Sequence, residues 1–508
     1  MWGGTDSTWN DSDSPSGGDR RQLYSHSFRR VRGDMTTTTA PATTTKPVAI
    51  LAIVLISYFM VLMDDSVIFT GLPSIRADLE LSPTALSWVQ DAYTLVFGGL
   101  LLLAARVGDI VGRRRLFIIG LAIFGSASLL IGLAPSGPWM IAGRAVQGIG
   151  AAIVAPTSLA LITTYFEGEA RTRAVAWYAA SAGVGASLGL LVGGALTEWV
   201  SWRAGFLVNV PIAIAMIVAA RAALDHTAGQ KGRFDAVGAL AATFGVGALV
   251  FGIIESGETG WGSTRVIVSV VLGFALLAAL VWGESRVDQP IMPLRLFASR
   301  IRSGAYGTRL LFLGAMIGFF FFTTQYMQDA LGFSPFQAGL GFLPMTVVNF
   351  IAAMTVPRMN ARWSNATLLT TGVVVALIGM VWLSTMGVED SYLTAVALPM
   401  MLIGAGQGFA FGPLTNAGIA DVEPADAGAA SGLLNTAHQL GMALGLGILV
   451  AVSANAGADS AGAAAVAERA SAALTGGSVI LALALIVVLA VIVPAERSAL
   501  GAASVGAR

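Results

Sequence analysis

Residues 48–72 read VAILAIVLISYFMVLMDDSVIFTGL, 25 residues without charge except the adjacent carboxylates of Asp64 and Asp65. At about 1.5 Å of rise per residue, this stretch crosses the roughly 30 Å core of a bilayer as a tilted helix. A barrel strand would be shorter and would alternate apolar with polar residues, which this stretch does not. An acid inside such a helix costs about 2.5–3.5 kcal/mol on insertion scales and calls for a partner or a function.

The same kind of segment recurs. Fourteen are expected, at 48–72, 88–105, 116–134, 139–165, 174–196, 205–224, 236–254, 266–282, 305–325, 336–356, 366–386, 393–413, 427–454 and 478–494. Charged residues make up 11% of the 508, well below the quarter usual in soluble chains, so most of the chain faces lipid or itself. The fold class expected is an all-α polytopic membrane protein. Charge placement supports the count: with the N-terminus inside, only Arg76, Arg203, Arg265 and Arg469 fall outside, and Arg144 and Arg309 lie within spans. The other Lys and Arg lie inside, as the positive-inside rule requires. Both termini are then cytoplasmic in the cell membrane.

Residues 1–47 are polar and read as a disordered cytoplasmic tail, with Met35 as an alternative start. The longest inner connections bracket spans seven and eight. The expected organisation is therefore a six-helix bundle (48–230), a two-helix insert with its linkers (231–302), a second six-helix bundle (303–496) and a short tail (497–508). Paired bundles place a substrate near mid-membrane between them.

Depth along the helices puts Asp64, Asp91 and Arg144 in one layer of the first bundle. A carboxylate balanced there between burial and an Arg is a proton carrier, and the alternative is an ion pair that ties three helices. Asp65 lies about 100° around the helix from Asp64, so Asp64 is favoured to face the cavity and Asp65 is left open. At the inner end of span two, LAARVGDIVGRRRLF makes a tight charged turn in which Gly108, Asp109, Gly112, Arg113 and Arg114 form a conformational latch. The second bundle holds no acid well inside the membrane. Its polar points include Asn349, Asn435 and His438, and with Gln147 and Tyr326 they are the candidate cavity residues. Aromatic and Met residues such as Phe319–Phe322, Met345, Phe350 and Phe411 are candidates for a soft lining. Arg309, about one turn into span nine, is expected to snorkel to the inner interface.

The latch stretch resembles the loop between the second and third helices of the major facilitator superfamily, with Ala105 for its usual Gly and Ile110 for its usual basic residue. Met63–Ser66 through Leu72-Pro73 is similar to the first-helix motif of the fourteen-helix drug:proton antiporters, with Phe69 for Asn. Trp88–Tyr93, Arg144–Gly150, Trp202-Arg203, Phe206–Pro211 and Ser431–Gly445 resemble that family's further motifs in order. The resemblance implies proton coupling through Arg144. It also implies an antiporter helix at Gly185, Gly189, Gly193 and Gly194, in which Leu190 replaces the expected Pro, and His438 stands where Arg is frequent.

These readings favour proton-coupled export of apolar or cationic organic compounds by alternating access. The alternative is a carrier, of uncertain direction, for one metabolite, lipid or siderophore. A membrane enzyme or ATP-driven subunit fits less well. The only lysines, Lys46 and Lys231, lie in no phosphate-binding loop, and there is no Cys and no cluster among His26, His226 and His438 to hold a metal. The partners expected are the bilayer, protons and a small organic substrate, with no cofactor, ATP or nucleic acid, and the protein is expected to act as a monomer.

Overall fold

The computed structural model describes residues 45–225, 235–286, 292–423 and 426–506. The expected N-terminal tail up to residue 44, and Lys231 and Arg233 of the first linker, lie outside the described residues. Among the described residues there is no strand, and fourteen helices are long and apolar enough to cross a membrane.

In chain order these are α1 (Pro47–Asp78), α2 (Pro83–Val111), α3 (Arg113–Gly132), α4 (Gly137–Tyr165), α5 (Gly168–Trp199), α6 (Trp202–Ala223) and α7 (Ala236–Thr259). They continue as α8 (Thr264–Glu284), α9 (Arg300–Ala330), α10 (Pro335–Met359), α11 (Asn365–Leu383), α12 (Leu393–Gly418), α13 (Ala427–Ser453) and α14 (Ala463–Ala499). The largest departure from the expected spans is α14, which starts fifteen residues before position 478. Its first turns are Ala-rich and only mildly apolar, but Ala467, Ala470, Ala473 and Leu474 form a buried stripe at helical spacing.

Local chemistry sets the helix ends. Ser82 accepts from the amide of Ala85 just before Pro83 opens α2, and Ser334 forms a capping box with Gln337 before α10. Between α2 and α3 the chain turns on a single residue, Gly112, at φ 101°, a conformation that a side chain would strain.

Helices α1–α6 pack among themselves, as do α9–α14. The first six helices meet the last six mainly where α2 lies against α13 and α5 against α10. Helix α7 covers the α2–α13 seam by packing on both helices. Helix α8 packs on α7 and exposes Ile267, Val271, Phe274 and Trp282, which suits a lipid-facing position.

Ahead of α9, a short 3₁₀ turn (Leu294–Ala298) is fastened to the start of α13. Arg295 donates to both carboxylate oxygens of Asp426, at 2.7 and 2.6 Å. This bidentate pair holds the Asp426 carboxyl below the usual carboxylate range. A lowered folded-state value contributes stability that is fully present above the unfolded value and is lost as pH falls through the folded one. The clasp therefore holds at neutral pH and opens only in acid. We expect Asp426→Asn to open it at pH 7, read as faster tryptic cleavage at Arg295.

Candidate functional site

Asp64 and Arg144, brought together by α1 and α4, are both completely buried and form an ion pair at 2.8 Å. Gln147, one turn beyond Arg144 on the same helix face, donates to Asp64 at 2.9 Å and to Ser128 of α3 at 2.9 Å. Asn209, at the break in α6, donates to the same carboxylate at 2.6 Å. Arg144 also donates to the carbonyl of Val89 at 3.1 Å and stacks over Tyr93, 4.1 Å from the ring centre. A buried pair of opposite charges is tolerated only when its remaining lone pairs are filled, and here three donors surround one carboxylate. Asn209 was not singled out from the sequence; the signal available was one amide in the otherwise apolar run Phe206–Pro211.

Several expectations change. Asp64 and Gln147 face the interior of the first six helices, so neither lines the cavity described below; the residue that does is Asp65. Asp91 shares no bond with Arg144. Its carboxylate is fully buried, and neither oxygen has a hydrogen-bond partner among the described residues. It shares a helix face with Trp88 and Gly98, which touch Phe251 of α7 and Gln439 of α13. Tyr326 does not line the cavity either, because its hydroxyl donates to the carbonyl of Gly387 at 2.6 Å inside the last six helices.

Between the first and last six helices lies a cavity of about 820 Å³. One wall presents Tyr58, Asp65, Phe69, Tyr93 and Tyr178, and the other Arg309, Met345, Asn349, Phe411, Asn435 and His438. Asp65 accepts from Gln90 at 3.1 Å and takes part in no ion pair among the described residues. Arg309 does not snorkel. Helix α9 starts at Arg300, so Arg309 is two and a half turns deep and 5% exposed. Its guanidinium lies 4.0 Å from the centre of the Phe411 ring and bonds His438 Nδ1 at 3.1 Å. The exposed Phe350 points out of the bundle, away from the lining that was expected of it.

The cavity reaches Asp109 and Arg113 on one face of the bundle and Val356, Pro357 and Gly428 opposite them, and it narrows at the other end under stacked Phe69 and Phe320, 5.5 Å apart. Beyond those rings the first and last six helices are joined. Arg76 pairs with Asp329 at 2.8 Å, Gln328 donates to the carbonyl of Thr70 at 3.1 Å, and Glu198 accepts from Ser334 and from the amide of Phe336. The bundle is thus shut at the Arg76 end and open at the Arg113 end. In this state the latch residues hold their own half: Arg113 bonds Asp109 at 3.0 Å and Thr164 at 2.6 Å, and Arg114 bonds the carbonyl of Arg221.

The α5 glycines serve close approach. A Cβ on Gly189 or Gly193 would meet the backbone of α1 at 2.7 Å. On Gly194 it would meet the carbonyl of Pro335 at 2.5 Å, and on Gly339 the carbonyl of Leu190 at 2.6 Å. Residues 185–189, GASLG, match the spacing of a serine nucleophile motif, but they lie in continuous helix and not at a strand-to-helix turn.

Residues 54–446 match the Major Facilitator Superfamily. The cephamycin export protein CmcT of Amycolatopsis lactamdurans is 40% identical over 82% of this chain and 86% of its own length. The puromycin resistance protein pur8 of Streptomyces alboniger is 39% identical over 78% of this chain and 79% of its own. A POT family transporter in complex with a thioalcohol-conjugated peptide superimposes with a TM-score of 0.63 at 13% identity, covering 88% of this chain and 95% of that one, which speaks to fold alone. This chain is a multi-pass membrane transporter and belongs to the Major Facilitator Superfamily.

Proposed function

We propose that the protein is a secondary transporter that exports small organic compounds in exchange for protons, with the Arg113 face cytoplasmic. The observation that carries this reading is the buried Asp64–Arg144 pair, one helix face away from a cavity open at one end and closed at the other. Proton and cargo can thus act on the same helix, α1, from opposite sides. Protonating Asp64 leaves Arg144 without its counter-charge, so α4 and α6 must repack against α1. That repacking moves the wall on which Asp65 sits. Asp91, unpartnered on the α2 face that meets α7 and α13, is the second proton-binding group in this reading. Its charge state then bears on how the two halves pack. Asp65 and the aromatic rings suit an apolar or cationic cargo. The antibiotic export and resistance named for the relatives above agrees with this direction.

Proteoliposomes loaded with a fluorescent cationic dye provide the test. An imposed pH gradient is expected to drive dye movement together with a measurable proton flux, and a protonophore is expected to stop both. Dye movement that persists after the gradient is dissipated would overturn the coupling. Leu190 at the place of the expected Pro supports a second reading, a carrier for one metabolite, lipid or siderophore. Accumulation of such a compound in energised cells, absent from a deletion strain, would favour it.

A further inference from the structure

Arg309 is a charged side chain almost fully buried at the cavity wall, and two of its nitrogens, Nε and Nη1, have no acceptor among the described residues. Its partners are the Phe411 ring and His438 Nδ1. A guanidinium can only donate, so Nδ1 is the acceptor and the remaining imidazole proton sits on Nε2, a second donor at the same wall. The acids of the last six helices (Asp329, Glu468 and Glu496) lie near helix ends, and no ion pair among the described residues includes Arg309. A desolvated cation without an anion is costly, and the space in front of it is the substrate cavity. Across that space lies Tyr58 of α1, close enough to feel the charge of Arg309. Asp65 is two turns further along α1 from Tyr58, about 10 Å at the usual helical rise. Away from its Asp109–Arg113 mouth, the cavity thus holds one carboxylate, Asp65, and one guanidinium, Arg309, on opposite walls, offset in depth and bonded to different partners, with Phe320, Met316 and Met345 among the apolar residues lining the same space.

We propose that this cavity selects zwitterions: an amine at Asp65 and a carboxylate or similar anion at Arg309 and His438, joined by an apolar segment of at least about 10 Å, the offset in depth between the two sites. The proposal rests on the export reading and narrows its cargo, since a purely cationic compound leaves Arg309 unanswered.

A biphenyl carrying a para aminomethyl group on one ring and a para carboxylate on the other serves as the probe. Its methyl ester keeps only the cation, its N-acetyl derivative keeps only the anion, and the single-ring analogue shortens the charge spacing. Binding to the purified protein and efflux from proteoliposomes are measured for all four. The biphenyl zwitterion is expected to bind at least about tenfold more tightly than the other three, the effect of one charge-assisted hydrogen bond. Arg309→Gln is expected to erase its advantage over the ester, Asp65→Asn its advantage over the N-acetyl compound, and Arg309→Lys to keep part of the first. Thermal unfolding of each purified variant separates lost recognition from lost folding. Equal binding of zwitterion and ester, an unchanged ratio in a folded Arg309→Gln protein, or binding of none of the four overturns the proposal. Selective binding without gradient-driven efflux would instead remove the export reading and leave the recognition standing. Efflux of all four without preference would do the reverse.

Discussion

Asp64→Asn is expected to abolish export driven by a pH gradient and to destabilise the protein by about 3–5 kcal/mol, the usual consequence of stranding one member of a buried ion pair. The amide can still accept from Gln147 and Asn209, so the loss comes from Arg144, which keeps its charge in a space with no other acid bonded to it. Replacing both members, Asp64→Asn with Arg144→Met, removes the uncompensated charge and is expected to recover most of the stability. Export remains absent, because Asp91 alone has, among the described residues, no Arg partner whose release would repack α4 and α6 against α1. Thermal unfolding in detergent reads the first effect, and proton flux in proteoliposomes the second. A double variant that still exchanges protons would reduce the pair to a structural tie.

The second large effect concerns the closed end. Gly339→Ala places a Cβ 2.6 Å from the carbonyl of Leu190, and Gly194→Ala one 2.5 Å from that of Pro335. Both obstacles are backbone, which cannot swing aside as a side-chain tip can. Overpacking of this kind costs about 1–3 kcal/mol, and the cost falls only on the state in which α5 and α10 touch. The closed-end population should therefore drop by roughly five- to 150-fold, with transport falling because the cycle needs that state. The chain has no native Cys, so a disulfide between Glu198→Cys and Ser334→Cys reports closure without background. Its yield should fall in Gly339→Ala and stay unchanged in the control Gly283→Ala, where the new methyl group meets nothing within 4 Å. Unchanged yield in Gly339→Ala would mean that this seam does not gate.

Span number was legible in the sequence because length and apolarity suffice to recognise a membrane helix. The layer shared by Asp64 and Arg144 was legible because rise per residue converts position into depth. Rotation about the axis was not. A spacing of 100° says that Asp64 and Asp65 look different ways, but not which way is inward. Arg309 was placed too shallow because the helix was counted from its apolar start; the polar turn from Arg300 is helical too. Tyr326 begins a π-helical turn, Tyr326–Ala330, which shifts side-chain phase by a residue in a way that composition does not signal. The partners of Asp64 come from α4 and α6, and no local pattern announces such a meeting.

Helix α7 lies over the line where α2 meets α13, with α8 outside it. In this state that flank of the vestibule is fenced from the acyl chains, whereas on the opposite flank the halves meet at α5 and α10 with no such helix, among the described residues, laid over the line. An oily molecule dissolved in the leaflet would then enter sideways past α5 and α10, a one-handed trade with the bilayer.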